Sequence, residues 1–233
     1  MNPNTKKIKT IPYFLFIILL LLPSFPIKAA VKGAKKSSET HVLAPEGSPT
    51  RAIQEMENEM DAYHVGDNLT PQQKEENSRL KKQILETTFD VAELCRLALG
   101  HHWKALSEGQ RSHFVSLMKG LLETRALSAR EQSKAAGKPY DVKYKGDEYI
   151  DGRRKAASRT VVDVPEKNVS IEINYFLKNG SNGWKIYDLE VDGAALVSNY
   201  ANQFDKIIKQ NGFSGLVARM EKKLKELEKK RAS

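Results

Sequence analysis

The sequence predicts an α+β domain in which a four-stranded antiparallel meander sheet packs against helices. Two changes of hydrophobic period support this prediction. From Arg51 to about residue 134, apolar residues recur at spacings of three and four, which is typical of helices that bury one face. After Gly137 they alternate with polar residues, as in strands, and after Gly193 the helical spacing returns.

Capping signals divide the first helical region into segments. Thr70, followed by Pro and by Gln73, matches the pattern of a capping box, and Ser107 with Gln110 matches it again. Asp90 is expected to cap a helix that Gly100 ends. The predicted helices therefore span 51–63, 71–87, the stretch between Asp90 and Gly100, and 108–134.

The alternating region predicts four strands joined by turns. Asp151-Gly152 is a typical hairpin turn, and the segment 179–183 is rich in Asn and Gly. The strands are expected over 140–145, 156–164, 169–177 and 184–191. A helix from about 194 to 210 and a last helix from about 214 complete the order.

The first 29 residues have the pattern of a secretory signal peptide. Lys6 and Lys7 precede an apolar run over 11–22, Pro23 interrupts it, and Ala29 provides a small residue for cleavage. The alternative is an uncleaved membrane anchor, but the run is about twelve residues long, whereas a spanning helix needs about 20. We therefore predict export from the cytoplasm, with a flexible leader over 30–50.

Charge and cysteine content exclude several classes of protein. Cys95 is the only cysteine of the chain, which excludes an internal disulfide framework and a thiolate metal cluster, and its apolar surroundings predict a small buried side chain. Cleavage would remove four Lys and no acidic residue, so the formal charge would fall from +9 to about +5. A nearly neutral body over 51–218 disfavours a nucleic-acid partner. The charged stretch 219–233 predicts a solvated helix end, with contact to anionic headgroups as the alternative.

Catalytic and metal-binding motifs are missing from the sequence. His101 and His102 are adjacent, so their side chains are expected to point apart and not to share a metal ion. Asp188, Glu190 and Asp192 follow strand spacing and are expected on a solvated face. We therefore predict no catalytic residues, no metal and no enzymatic activity.

Apolar side chains are abundant in two arrangements, one on the predicted sheet and one on the predicted helices. By pattern alone an ordinary core is the favoured interpretation, because the lining of a cavity and a solid core have the same sequence pattern.

Two stretches resemble the MlaC family of periplasmic phospholipid-binding proteins, the carrier component of an ABC transport system that maintains lipid asymmetry. The first comprises Phe89-Asp90, the segment LALGHHW over 97–103, Gln110, Phe114 and Leu121-Leu122. The second comprises the segment GWKIYDLEVDGAALVSNY over 183–200, Gln203-Phe204 and the segment GFSGL over 212–216, together with Ile173-Asn174-Tyr175. The likeness extends over about residues 50–220.

The resemblance implies a nuclear-transport-factor-like fold with an apolar pocket for lipid acyl chains between the sheet and the helices. The residues expected to line this pocket are Phe114, Met118, Leu122, Val142, Tyr144, Ile171, Ile173, Tyr175, Trp184, Ile186, Tyr200, Phe204 and Ile207.

The implied function is that of a soluble periplasmic carrier that needs no cofactor and holds phospholipid as cargo. Its implied partners are the inner-membrane lipid-binding ring of the ABC transporter and an outer-membrane lipoprotein complex. The alternatives are an enzyme on the same fold that uses a pocket Asp or His, and a carrier of another lipid such as a hopanoid.

Overall fold

The computed structural model describes residues 42–66, 68–135, 141–164 and 169–232, without the side chains of 125–135, 164 and 230–232. The predicted signal peptide and the predicted leader up to residue 41 lie outside these ranges. Within them, no helix combines the length and the apolar content that crossing a bilayer requires.

Helices pack against an antiparallel sheet in the order that the sequence predicts, which confirms the α+β class. The helices are α1 (Pro49–Asp61), α2 (Pro71–Thr88), α3 (Val91–Leu99), α4 (His102–Ala105), α5 (Glu108–Ala135) and α6 (Leu196–Ala232). The strands are β1 (Asp141–Ile150), β2 (Lys155–Val164), β3 (Val169–Gly180), β4 (Gly183–Val191) and β5 (Ala194–Ala195).

The predicted caps begin the helices as expected. Thr70 Oγ1 accepts from the backbone N–H of Gln73 at 3.2 Å, and the Gln73 side chain accepts from the Thr70 N–H at 2.9 Å. Asp90 Oδ1 accepts from the Glu93 N–H at 2.9 Å. Each bond satisfies an amide that the first turn of a helix leaves without an intrahelical partner.

Helix α1 begins two residues before its predicted start and is fixed to the sheet at that end. Ser48 Oγ accepts from the Arg51 N–H at 3.2 Å. The Asp147 carboxylate on β1 accepts from Thr50 N at 3.2 Å and from Thr50 Oγ1 at 2.7 Å. Thr50 Oγ1 also lies 2.8 Å from Ser158 Oγ on β2. A carboxylate at a helix N-terminus is favourable. Because residues 48–50 make these contacts, they belong to the folded domain and not to the predicted flexible leader.

The sheet has five strands, not the predicted four, in the order β1-β2-β3-β4-β5. Asp192 and Gly193 have φ values of 47° and 80° and form a two-residue turn that returns the chain onto β4. Glu190 then pairs with Ala195 and Val191 with Ala194, so helix α6 begins at Leu196 and not at residue 194.

Two irregularities shape the sheet. The β1–β2 register shifts between Tyr144 and Gly146, and Gly146 has a φ of 104°, which glycine adopts readily. The β3–β4 register also shifts by one residue, since Phe176 pairs with Asp188 and its neighbour Leu177 pairs with Ile186, which leaves Tyr187 without a partner in the pairing. Strand β4 therefore contains a bulge at Tyr187.

Helix α6 continues to Ala232 and carries the region that the sequence predicts as a solvated charged end. Gly212 interrupts it with φ 70° and ψ 173°, which confirms the predicted break near Asn211-Gly212. Beyond the break, Leu216 and Met220 are buried, and Leu224 and Leu227 pack against the core. The prediction of a wholly solvated end is therefore wrong, because an apolar stripe alternates with the charges at helical spacing.

Gly120 on α5 lets the last part of α6 approach closely. A Cβ atom at Gly120 would lie 3.0 Å from Leu224 Cδ2 and 3.3 Å from Leu224 Cδ1. Gly109, in the first turn of the same helix, has open space at the corresponding position. A side chain at position 120 would therefore force Leu224 to shift in the contact between α5 and α6.

We expect Gly120→Val to destabilise the protein by about 1–3 kcal/mol, because the added methyl groups overpack the contact with Leu224. Urea unfolding followed by circular dichroism measures this. The double variant Gly120→Val/Leu224→Ala should recover part of the loss, whereas Gly109→Val should stay within about 0.5 kcal/mol of the wild type. Equal losses at positions 109 and 120 would contradict the contact.

Helix α3 carries an ion pair between the buried Glu93 and the exposed Arg96. Arg96 donates to both carboxylate oxygens of Glu93, from Nε at 2.8 Å and from Nη2 at 2.7 Å. These hydrogen bonds lower the pKa of Glu93 below its ordinary value, against the opposing effect of burial. Because the folded-state pKa is lowered, protonation at acidic pH favours the unfolded chain.

We expect the stabilisation from this pair to be complete above about pH 4.5 and to be lost as the pH falls through the lowered pKa of Glu93. Glu93→Gln should cost about 1–2 kcal/mol at pH 7, and its difference from the wild type should narrow towards pH 3. Urea unfolding at several pH values measures both effects.

Glu148→Gln is the matched control, because Glu148 pairs with Arg159 and both side chains are more than half exposed. It should change the stability by less than about 0.5 kcal/mol at either pH. A Glu93→Gln difference that does not change with pH would contradict the assignment.

Candidate functional site

The thirteen side chains predicted to line a pocket lie together in one continuous apolar cluster between the sheet and the helices. Ten of them are buried, and three are half-buried at its boundary: Leu122, Tyr144 and Ile207. The sheet contributes seven members and helices α5 and α6 contribute six. Their role in lipid binding stays a prediction.

Strand alternation selects the members that come from the sheet. Ile171, Ile173 and Tyr175 on β3 are each at most 4% exposed, while Glu172 between them is exposed. Ile173 pairs with Thr160 on β2 and with Val191 on β4. An antiparallel sheet with one covered face produces this pattern.

Aromatic rings fill the part of the cluster between α5 and α6. Phe114 meets Phe204 edge to face at 5.6 Å between ring centroids and lies 5.8 Å from Phe213. Tyr200 stacks on Phe204 at 5.2 Å. These contacts hold the two helices together, and Phe114, Tyr200 and Phe204 are buried.

At the end of the sheet where β1 and β3 begin, the cluster contains half-buried side chains beside the buried Val142 and Ile171. Tyr144 on β1 and Val169 on β3 are half-buried there, and Leu122 on α5 is half-buried as well. Tyr144 donates its hydroxyl to Glu57 Oε2 on α1 at 2.6 Å. A polar group at the rim and an apolar interior are the features of a site for an amphipathic ligand.

Two surface grooves of about 440 Å³ each lie at the opposite end, beside the β3–β4 turn. One is bordered by Lys119, Lys178 and Lys185, and the other by α1 and Trp184. Trp184 is the one predicted pocket residue that lines either groove, and its indole N–H donates to the Gly47 carbonyl at 3.0 Å. The grooves are thus separate from the end of the cluster that contains Tyr144 and Val169.

The sequence-based set misses buried members of the same face, notably Leu189 and Val191 on β4. Strict alternation from Trp184 and Ile186 would place Asp188 inward. The bulge at Tyr187 moves Leu189 inward instead, opposite Tyr175. The sequence does contain a signal for this bulge. Leu189 and Val191 are apolar at odd-numbered positions, whereas Trp184 and Ile186 are apolar at even-numbered positions, so the alternation changes phase between them.

The sequence predicts Asp188 on a solvated strand face. In the structure its carboxylate instead caps the start of helix α6. Its Oδ1 accepts from the backbone N–H groups of Leu189 at 2.8 Å and Val197 at 2.9 Å. Burial raises the pKa of Asp188, and the two backbone hydrogen bonds oppose this rise. The carboxylate therefore fixes the start of α6 relative to β4.

The side chains of His101 and His102 do not point apart, contrary to the prediction. Their ring centroids are 3.8 Å apart, with an angle of 39° between the rings. His102 Nε2 lies 3.0 Å from Asp205 Oδ1 on α6. Gly100 turns the chain with a φ of 52°, and the short helix α4 follows in a stretch for which the sequence predicts no helix.

Cys95 lies in the core on α3 with 0% exposure, and burial raises the pKa of its thiol. Such a thiol is protonated at neutral pH and chemically unreactive.

The comparisons with known proteins agree with this architecture. No curated protein matches the chain. The structure of a phospholipid-binding protein from Ralstonia solanacearum, in complex with a phospholipid, is similar with a TM-score of 0.59 and 22% sequence identity. The likeness covers 76% of this chain and 96% of that one, which shows a shared fold. The family model of the MlaC protein matches residues 54–222, well over half of the sequence, and the chain therefore belongs to the MlaC family.

Proposed function

We propose that this chain is an exported carrier that holds phospholipid acyl chains against the apolar face of its sheet and moves the lipid across the periplasm. The observation that carries the proposal is the continuous apolar cluster, which extends from the buried Ile173 to the half-buried Tyr144 and Leu122. Membership of the MlaC family and the fold shared with the phospholipid-binding protein from Ralstonia solanacearum support it.

The physical need for such a carrier follows from the cost of exposing acyl chains to water. Two chains with roughly 30 methylene groups, at about 0.8 kcal/mol each, would cost about 25 kcal/mol to hydrate. Free diffusion of a phospholipid across an aqueous gap is therefore very slow. A protein whose apolar interior is comparable to a bilayer makes the transfer nearly thermoneutral, so that the partners at each membrane set its direction.

The location and the partners belong to the same proposal. The N-terminal pattern of Lys6, Lys7 and the apolar run 11–22 supports export. We propose that the carrier exchanges lipid with the lipid-binding ring of an inner-membrane ABC transporter and with an outer-membrane lipoprotein complex. The lipid is cargo in this scheme and not a cofactor.

The contacts of the polar groups favour a carrier over an enzyme. Asp188, whose pKa burial raises, is committed to the backbone of β4 and α6. Glu57, at the rim, accepts the hydroxyl of Tyr144. Both carboxylates thus hold elements of the fold together, as expected of residues that support a lipid-binding site.

We expect Ile173→Trp to reduce co-purifying phospholipid at least fivefold, because the indole would occupy space next to the sheet. A charged residue at this position would leave an unpaired charge in the core and unfold the protein, so a bulky apolar replacement is preferable. Leu122→Trp, at a half-buried position on α5, is the second variant and should act in the same direction. Mass spectrometry of organic extracts measures the bound lipid.

Val161→Trp is the matched control, because Val161 on β2 pairs with the exposed Glu172 and lies on the opposite face of the sheet. It should retain wild-type lipid. Circular dichroism and size-exclusion chromatography identify the variants that fold. Folded Ile173→Trp and Leu122→Trp with unchanged lipid would contradict the assigned face. A wild-type protein that neither co-purifies with phospholipid nor transfers labelled phospholipid between vesicles would contradict the carrier itself.

A further inference from the structure

Three potential metal ligands meet on the surface where α4 approaches α6. His101, His102 and Asp205 each offer one ligand atom, and these atoms all lie within 4.8 Å of one another. His101 is exposed, and the side chains of His102 and Asp205 are 19% and 31% exposed. The cluster is thus open to solvent on one side and fixed to two elements of the fold on the other.

The spacing suits a small divalent ion. Zinc bonds to imidazole nitrogen and carboxylate oxygen are about 2.0–2.2 Å long, so two ligands of a tetrahedral ion lie about 3.3 Å apart. His102 Nε2 and Asp205 Oδ1 are separated by 3.0 Å, which is close to this value. The ring of His101 already lies beside that of His102, at 3.8 Å between centroids, and its ligand atom lies within 4.8 Å of the other two.

Two other pairs of a histidine and a carboxylate in the structure can be compared with this cluster. His64 Nε2 lies 2.8 Å from Glu76 Oε2, and His113 Nε2 lies 3.0 Å from Glu221 Oε1. Each pair has one imidazole and one carboxylate. Among the described residues, the cluster at Asp205 is the group in which a third ligand lies within reach.

We propose that His101, His102 and Asp205 form a binding site for a divalent transition-metal ion, with zinc the best fit. Two imidazoles and one carboxylate provide the nitrogen and oxygen ligands that zinc accepts, and a fourth position stays open to water. The bound ion would join the turn after α3 to helix α6, far along the chain. The site is independent of the lipid proposal, since none of its three ligands belongs to the predicted pocket.

Lys209 modulates this site. Its Nζ lies 2.6 Å from Asp205 Oδ2, the carboxylate oxygen that does not contact His102. The ammonium group leaves Oδ1 available, but its positive charge opposes the arrival of a cation. Removal of this charge should therefore strengthen metal binding and not weaken it.

Isothermal titration calorimetry with zinc chloride tests the proposal on the chain without a histidine tag. We expect one equivalent of zinc to bind and thermal unfolding to shift upward in its presence. His101→Ala and Asp205→Ala should each weaken binding by more than about tenfold, since loss of an outer partner alone costs that much. Lys209→Met should tighten it.

His113→Ala and His64→Ala are the matched controls and should change the affinity less than about twofold. Thermal unfolding in EDTA identifies variants that have lost their fold, and His101→Ala, at an exposed position, keeps the test valid if Asp205→Ala unfolds. Absence of zinc binding by the wild type at sub-millimolar zinc would overturn the proposal. So would a folded His101→Ala variant that binds as tightly as the wild type.

Discussion

The burial of one face of the antiparallel sheet is the constraint on which the rest of the structure depends. Ile171, Ile173 and Tyr175 point to one side because strand residues alternate, and the helices that pack on this side cover them. The same requirement explains the polar contacts at the boundary. Asp147 fixes the start of α1 to β1, and Asp188 fixes the start of α6 to β4.

Much of the fold could be predicted because local chemistry and tertiary structure agree. The pairs Thr70–Gln73 and Ser107–Gln110 cap helices in the structure as their spacing predicts. The alternation of β3 and the break at Gly212 also appear as predicted. Short-range signals of this kind depend on neighbouring residues alone, so a sequence displays them directly.

The features that could not be predicted depend on contacts between distant segments. Strand β5 has two residues, too few for a hydrophobic period, and exists because a turn returns Ala194 and Ala195 to β4. The packing of Met220 and Leu224 requires α5 as a neighbour, with Gly120 opposite. In a segment where charged residues outnumber apolar ones, such an apolar stripe is difficult to recognise from the sequence.

The candidate site likewise has some features that the sequence predicts and others that it does not. Alternation and helical spacing identify which side chains share a face, and all thirteen predicted residues lie in one cluster. They do not reveal register shifts, so Leu189 was missed beyond the bulge at Tyr187. Nor do they give the direction of adjacent side chains after an unusual backbone turn. His101 and His102 lie side by side after Gly100 for that reason.

The register shift in β1 affects more than the local shape of the sheet. Strand β1 is first in the strand order and so presents a row of backbone donors and acceptors to its surroundings. An uninterrupted edge of this kind invites another chain to add a strand, which leads to aggregation. The irregularity between Tyr144 and Gly146, beside Lys143 and Lys145, interrupts that row and places charge along it. We therefore expect the carrier proposed above to be less prone to self-association through the β1 edge of its sheet.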